Sequence, residues 1–476
     1  MIAPIAWPRR WPAAGWAPTS PAGIAAAIAL AALGVAVAAA PPPWGGLAVV
    51  GVVVLVLVFV RPEVGLYLLA LSVPFQSLRD ADPTAVKITV TEIVVALAVA
   101  AFFAQQLAGK QAVWRAGPLM KPMAVLFLAM LLSVFKAETA LQSVKELAKW
   151  LEFITVYWIA INLFQGQPRK LALFLAALVA GVLAETAIGA AQVALRLGPP
   201  EFLIGGIILR AYGTFGQPNP FAGYLNLTLP VLLGIGLFAT NRLLKTFVWL
   251  AALAVGVIMI TTLSRGAWLG FASALVVMGI AGSRRLAVWI WVALLGGAAV
   301  ILATLFGIIP FGATTRVLAA FGLSGVSLDS VTAENFSAVQ RLAFWQAGLN
   351  MFGNNPVLGV GIGNYIEAYP KYAAQGWETV LGHAHDYYLN AAAETGMLGL
   401  AAYLVLLASA FRQVVSSVRA APAGVWFGVA LGVFGSLTAL SIHNLVDNMY
   451  VHGIPVLVGL LLGSSAVIPS FRRLDG

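Results

Sequence analysis

Long apolar runs follow one another along almost the whole chain, divided by short polar stretches. A helix needs about 20 apolar residues to cross the hydrocarbon core of a bilayer, fewer where its ends snorkel. On that measure the pattern predicts spans at 22–40, 45–60, 64–78, 88–107, 122–135, 150–166, 171–195, 220–239, 246–263, 267–282, 286–309, 396–411, 424–442 and 453–469. Pro74 interrupts the run 64–78 and the run 122–135 is short, so twelve to fourteen crossings are expected. Between Lys136 and Trp150 the pattern changes. Leu141, Val144, Ala148 and Leu151 recur at helical spacing opposite Lys145, Glu146 and Lys149, which predicts an amphipathic helix lying on the membrane interface.

The runs part the chain into N-terminal spans (1–205), central spans (206–309), a long polar and aromatic segment (310–395) and C-terminal spans (396–476). Arg9 and Arg10 precede the first run, and Ala36–Ala40 before Pro41 resembles a signal-peptidase site. Because the run from Pro21 to Ala40 is long enough to span and a second follows at once, it is read as a retained first helix.

Composition agrees with this reading. The chain is 61% hydrophobic and 9% charged, with a mean hydropathy of +0.94; a soluble domain carries about 25% charged residues. Too little polar surface exists to cover a water-soluble body. Cysteine is absent, which excludes disulfides and thiolate metal sites. The net charge of +10 comes largely from basic pairs set between apolar runs, the pattern of cytoplasmic anchors, and it excludes nucleic acid as a partner. With the N-terminus in the cytoplasm, sixteen of the 27 basic residues but only two of the 17 acidic ones fall inside, +14 against −4 for the remainder. Both termini are therefore expected in the cytoplasm of an inner-membrane protein, and segment 310–395 outside. Long loops in a compact membrane body carry function, so chemistry is expected on the outer, periplasmic face.

Three polar clusters fall on that face. The first runs from Arg210 through Gly213, Gly216, Pro218, Asn219 and Pro220 to Tyr224. Its glycines and prolines argue against a regular helix, and irregular backbone at membrane depth survives only where protein or water satisfies it. Its bland alternative is a Pro/Gly connector. The second is Thr262-Leu-Ser264-Arg265-Gly266, an arginine between two apolar spans with no acid near it in sequence. Such a residue either snorkels to headgroups or serves a site, and guanidinium beside Ser264 and Gly266 suits a phosphate-bearing ligand.

The third cluster is Gly382-His383-Ala-His385-Asp386-Tyr387-Tyr388-Leu-Asn390, followed by Glu394 and Gly396. His383 and His385 share one face only if the segment is extended, and Asp386 and Glu394 are thin support for a metal, so the reading is a single working histidine and no metal. Imidazole suits general-base work near neutral pH; a histidine merely hydrogen-bonded in a loop is the alternative. The stretch Leu358–Asn364 reads as a tight glycine turn rather than a dinucleotide loop, since no strand-then-helix context surrounds it. His443, Asn444, Asp447, Asn448, Tyr450 and His452 read as a solvated outer turn, or else as the lining of a ligand cavity.

The motifs R-x-x-G-T-F-G-x-P-N before one span, S-R-G opening another, G-x-G-x-G-N-Y in the long segment and H-D-x9-G-M after it resemble those of the O-antigen ligase and polymerase superfamily of bacterial envelope enzymes. The resemblance covers roughly residues 205–465. In ligases the histidine is followed by Asn, Ser or Gln; here Asp386 stands at that position. The resemblance implies an all-α, GT-C-like integral membrane glycosyltransferase with no cofactor and no metal. Its donor would be a glycan on undecaprenyl pyrophosphate and its acceptor a lipid or glycan hydroxyl, with lipid A–core leading. It further implies that Arg210 and Arg265 grip the pyrophosphate and that His385 deprotonates the acceptor, with Asn219, Ser264, His383, Asp386 and Tyr388 in support. A polymerase using the growing chain as acceptor is the alternative of the same class. A small-anion transporter, as some superfamily members have been described, is the alternative of another class. A transporter should show paired broken helices in two related halves, and no such repeat is visible here.

Overall fold

The computed structural model describes residues 44–79, 89–108, 114–283 (205 and 207 apart), 335–379 and 382–474, with scattered positions between 285 and 332. It divides into two units, 1–61 and 62–476. The first is described by one apolar helix, α1 (Trp44–Val60), with Val49, Val50, Val53 and Val56 exposed.

The second unit runs α2 (Glu63–Ser72), α3 (Val90–Ala108), α4 (Met120–Ser133), α5 (Ala140–Phe164) and α6 (Pro168–Leu195), then a minimal hairpin of β1 (Leu203–Ile204) and β2 (Ile208–Leu209). After it come α7 (Pro218–Phe238), α8 (Arg242–Thr261), α9 (Arg265–Gly282), α10 (Phe336–Asn354), α11 (Tyr365–Tyr372), α12 (Tyr387–Ala420), α13 (Val425–His443) and α14 (Ile454–Val467). Among the described residues, nine helices are long and apolar enough to cross a membrane: α3, α5 to α9, and α12 to α14 with its following turn. The chain is an all-α integral membrane protein. Of the other expected spans, 45–60, 64–78 and 122–135 form shorter helices, while 22–40 and most of 286–309 lie outside the described residues.

Helices α7, α13 and α14 are largely enclosed by the rest of the unit, whereas α3, α8 and α9 keep an outer apolar face. On α8 that face is Leu243, Leu250, Leu253, Val257 and Ile260, all exposed. Between apolar helices in lipid there is no hydrophobic drive to associate, so contact relies on close backbone approach at small residues. Helix α13 supplies them. Gly428 meets Gly234 of α7 backbone to backbone, Gly432 faces Val231, and Ala439 of α13 lies against Gly270 of α9. Ser436 adds a hydrogen bond to the Leu227 carbonyl at 2.7 Å.

The segment 136–150 departs from expectation. It is not a separate interfacial helix but runs into α5, one continuous helix from Ala140 to Phe164. Its inward side carries polar groups: Ser143 is buried and donates to Ile362 O at 2.7 Å and Lys149 is half-buried, while Lys145, Leu141, Val144 and Leu151 are exposed. The reason is the glycine turn, which docks there. Gly359, Gly361 and Gly363 all have positive φ, and Asn364 accepts from Thr139 N at 2.7 Å and donates to Ser143 Oγ at 3.0 Å. Buried loop backbone needs such polar partners, and α5 provides them.

Candidate functional site

The loop that carries the first arginine is held from below by two polar residues on α6. Gln192 accepts from Tyr212 N (3.2 Å) and Gly213 N (2.9 Å) and donates to Gly213 O (2.7 Å). The Glu185 carboxylate accepts from Thr214 N at 3.0 Å and from its hydroxyl at 2.7 Å. So anchored, the loop delivers Arg210 to the junction between α8 and α9, where its Nε donates to Thr262 O at 2.8 Å. Its terminal NH2 donates to Asn219 Oδ1 at 3.2 Å. Asn219 stands in the first turn of α7, and its amide donates to Asp447 Oδ2 at 2.7 Å.

Two residues flanking these contacts adopt left-handed backbone, which is strained for a side chain with a Cβ and concentrates at functional sites. Leu263 (φ 52°) turns the chain between Thr262 and Ser264, so that Arg265 begins α9. His385 (φ 51°) turns it just before α12. Its ring stacks on Phe344 (centroids 5.7 Å apart, planes 13° apart) and its Nδ1 lies 3.0 Å from Asp447 Oδ1. His383 approaches the same carboxylate, Nε2 to Oδ1 3.9 Å, while its Nδ1 accepts from His385 N at 3.1 Å.

Asp447 lies in the turn between α13 and α14 and is buried, as are His443, Asn444 and Asn448. The turn is thus not solvated. Burial alone would raise the Asp447 carboxyl, but the hydrogen bond from His385 and the fields of His385, His383 and His443 hold it well below the ordinary carboxylate range. An ionised Asp447 accepts the His385 Nδ1–H, and that fixes the neutral tautomer with a lone pair on Nε2. For His383, burial and the neighbouring His385 push the imidazole down to about 4, so it is uncharged at neutral pH.

Three arginines share this region. Burial lowers the Arg210 guanidinium, and Arg341 and Arg265 lower it further by like-charge repulsion. Among the described residues no carboxylate forms an ion pair with any of the three. Arg341, on α10, donates to Ser337 Oγ at 3.2 Å, and its buried Nε has no partner among the described residues. Like charges gathered without a carboxylate partner are chemically suited to a multiply charged anion.

Of the residues singled out from sequence, Arg210, Asn219, His383 and His385 come together around Asp447, and Arg265 stands beside them. Three others have local tasks instead. Asp386 caps α12, accepting from Leu389 N at 3.0 Å, so it does not orient His385. Ser264 occupies the N-cap position of α9, and the Tyr388 hydroxyl donates to Ser441 O at 3.0 Å. Sequence reasoning missed Arg341, which sits inside helix α10 (Phe336–Asn354) with nothing in its sequence neighbourhood to mark it. It undervalued Asp447, whose signal was a lone acid in the short turn between two apolar helices, four residues after His443 and seven before Ile454.

The fold and site define a multi-pass membrane protein with three clustered arginines beside a carboxylate-supported histidine. Residues 249–404, about a third of the chain, match the O-antigen ligase family, whose members are glycosyltransferase-like enzymes. The match takes in Arg265, Arg341, His383 and His385; Arg210, Asn219 and Asp447 lie outside it. A comparison with curated proteins finds no match. Ligase or polymerase chemistry joins a lipid-linked glycan to an acceptor.

Proposed function

We propose that the chain is an O-antigen ligase-like inverting glycosyltransferase of the inner membrane. In this reading it moves a glycan from undecaprenyl pyrophosphate to an acceptor hydroxyl, lipid A–core leading, at the periplasmic face. The observation that carries the reading is the chain of contacts from the His385 imidazole through Asp447 and Asn219 to Arg210. It couples a base to an anion site in one rigid unit. His385 Nε2 takes the proton of the acceptor hydroxyl as that oxygen attacks the anomeric carbon. The bond from that carbon to the pyrophosphate oxygen breaks, and undecaprenyl pyrophosphate leaves. One displacement inverts the anomeric centre. Asp447 stabilises the imidazolium that forms, and Arg210, Arg265 and Arg341 neutralise the charge growing on the leaving group.

Three guanidinium groups supply that neutralisation without a divalent cation, so transfer proceeds in EDTA. The test is incubation of purified protein with lipid-linked glycan and candidate acceptors, in EDTA, with mass analysis of the product. A glycosylated lipid A–core of inverted linkage supports the reading. A longer lipid-linked glycan identifies a polymerase, and no product unless Mg²⁺ or Mn²⁺ is added overturns the mechanism.

A further inference from the structure

The same carboxylate that orients His385 also faces His383. We propose that His383, His385 and Asp447 form a zinc-binding site whose occupation switches transfer off. One ligand atom from each of His383, His385 and Asp447 lies within 4.8 Å of the other two, and both His383 Nε2 and His385 Nδ1 face Asp447 Oδ1. Two of the separations are 3.0 and 3.9 Å. Tetrahedral zinc with bonds of about 2.0–2.1 Å sets its ligand atoms roughly 3.3 Å apart. Small side-chain adjustments therefore bring these atoms into coordination. Two imidazoles and one carboxylate select zinc over Mg²⁺ or Ca²⁺, which take oxygen ligands. With three protein ligands, the fourth position is left for water or substrate.

The ligands are also supported from behind, as metal ligands need to be. Asn219 and the Asn448 N–H both donate to the Asp447 carboxylate, and Phe344 stacks on the His385 ring. Two features weaken binding relative to a closed structural site. Ligation through His383 Nε2 moves its proton to Nδ1, which gives up the hydrogen bond from His385 N. Arg341 and Lys149 add repulsion at His383.

The consequence for transfer follows from the tautomers and rests on the base reading of His385. Zinc on Nδ1 takes the place of the proton that Asp447 holds there. The neutral ring then carries its proton on Nε2, where the acceptor hydroxyl needs a lone pair. No net proton is lost, yet the base is gone.

The sequence makes the test clean, because the chain holds four histidines and no cysteine. Full-length protein carrying a histidine-free affinity tag is dialysed against zinc alone, and bound metal is counted. One ion per wild-type chain is expected, retained in His452→Ala and lost in His383→Ala and Asp447→Asn. Gel filtration confirms that each variant is folded. Transfer is followed in the same preparations, each normalised to its own metal-free rate. Zinc should stop the wild type, EDTA should restore it, and His383→Ala should need at least tenfold more zinc for the same inhibition. Absence of a bound ion, or an ion that His383→Ala retains, overturns the site and leaves the base reading untouched. Bound zinc without inhibition overturns the switch. Stimulation by zinc overturns both the switch and the base reading.

Discussion

The imidazole Nδ1 of His385 lies 3.0 Å from the Oδ1 of Asp447, a residue 62 positions further along the chain and on the far side of two membrane-crossing helices. Asp447→Asn keeps the shape of this pair but removes the charge that fixes the tautomer and stabilises the imidazolium. Turnover should fall by about 10²–10⁴-fold, the usual worth of a general base and its orienting partner. Retention of lipid-linked donor should be unchanged. Wild-type turnover in this variant, at equal expression, would show that the pair does no chemical work.

The two neighbouring histidines should separate cleanly. His385→Ala should lose turnover by about 10²–10⁴-fold while still binding donor. His383→Ala should lose much less, since its ring stands 3.9 Å from the carboxylate rather than in hydrogen-bond contact. Transfer rates in matched membranes decide the matter, and a reversed order moves the base to His383.

Arg210→Lys, Arg265→Lys and Arg341→Lys should each weaken donor binding although the charge is kept. An ammonium cannot reproduce the planar fork that binds a diphosphate. Arg210→Lys should be the most damaging, because it also breaks the links to Thr262 O and Asn219 Oδ1. Donor KM and kcat measured for all three would expose any variant that is indifferent.

His383 gives the folded protein a pH dependence whose sign is set by burial. Its imidazole is pushed down from the ordinary 6.5 to about 4, so between those values the unfolded chain binds the proton more readily than the folded one. Stability from this group is therefore full above pH 6.5 and is lost as pH falls toward 4. Thermal unfolding in detergent should show the midpoint dropping across that window for the wild type, with a shallower fall for His383→Ala. Parallel curves would mean that the ring is not buried uncharged.

Topology can be checked with single cysteines, since the chain has none. Ser337 and Ser416 are both exposed, on α10 and near the end of α12. With an impermeant thiol reagent on cells whose outer barrier is opened, Ser337→Cys should be labelled and Ser416→Cys protected. The opposite result would put the arginines and His385 in the cytoplasm and remove the periplasmic mechanism.

Membrane character was legible in the sequence because crossing a bilayer is a local matter of apolar length, whereas of the twelve to fourteen crossings expected nine are long enough among the described residues. The kink in α12 was half legible. Gly396 marked a motif, but its φ of 64° and its contact with the Val357 backbone, which leaves no room for a Cβ, belong to packing. The stripe at 136–150 correctly announced a helix, yet which face turned inward depended on the glycine turn that docks on Ser143. The site divided in the same way. Arg210, Arg265 and His385 stood out because charge and imidazole are costly beside apolar spans wherever they occur. Their partners did not. Asp386, adjacent in sequence, was drawn off by the free N–H groups at the start of α12, as helix N-termini draw off any nearby carboxylate. Asp447 and Arg341 acquired their meaning only when the ends of α7, α9, α12 and α13 met. A buried charge is defined by the groups that surround it, and those come from elements far apart in the chain.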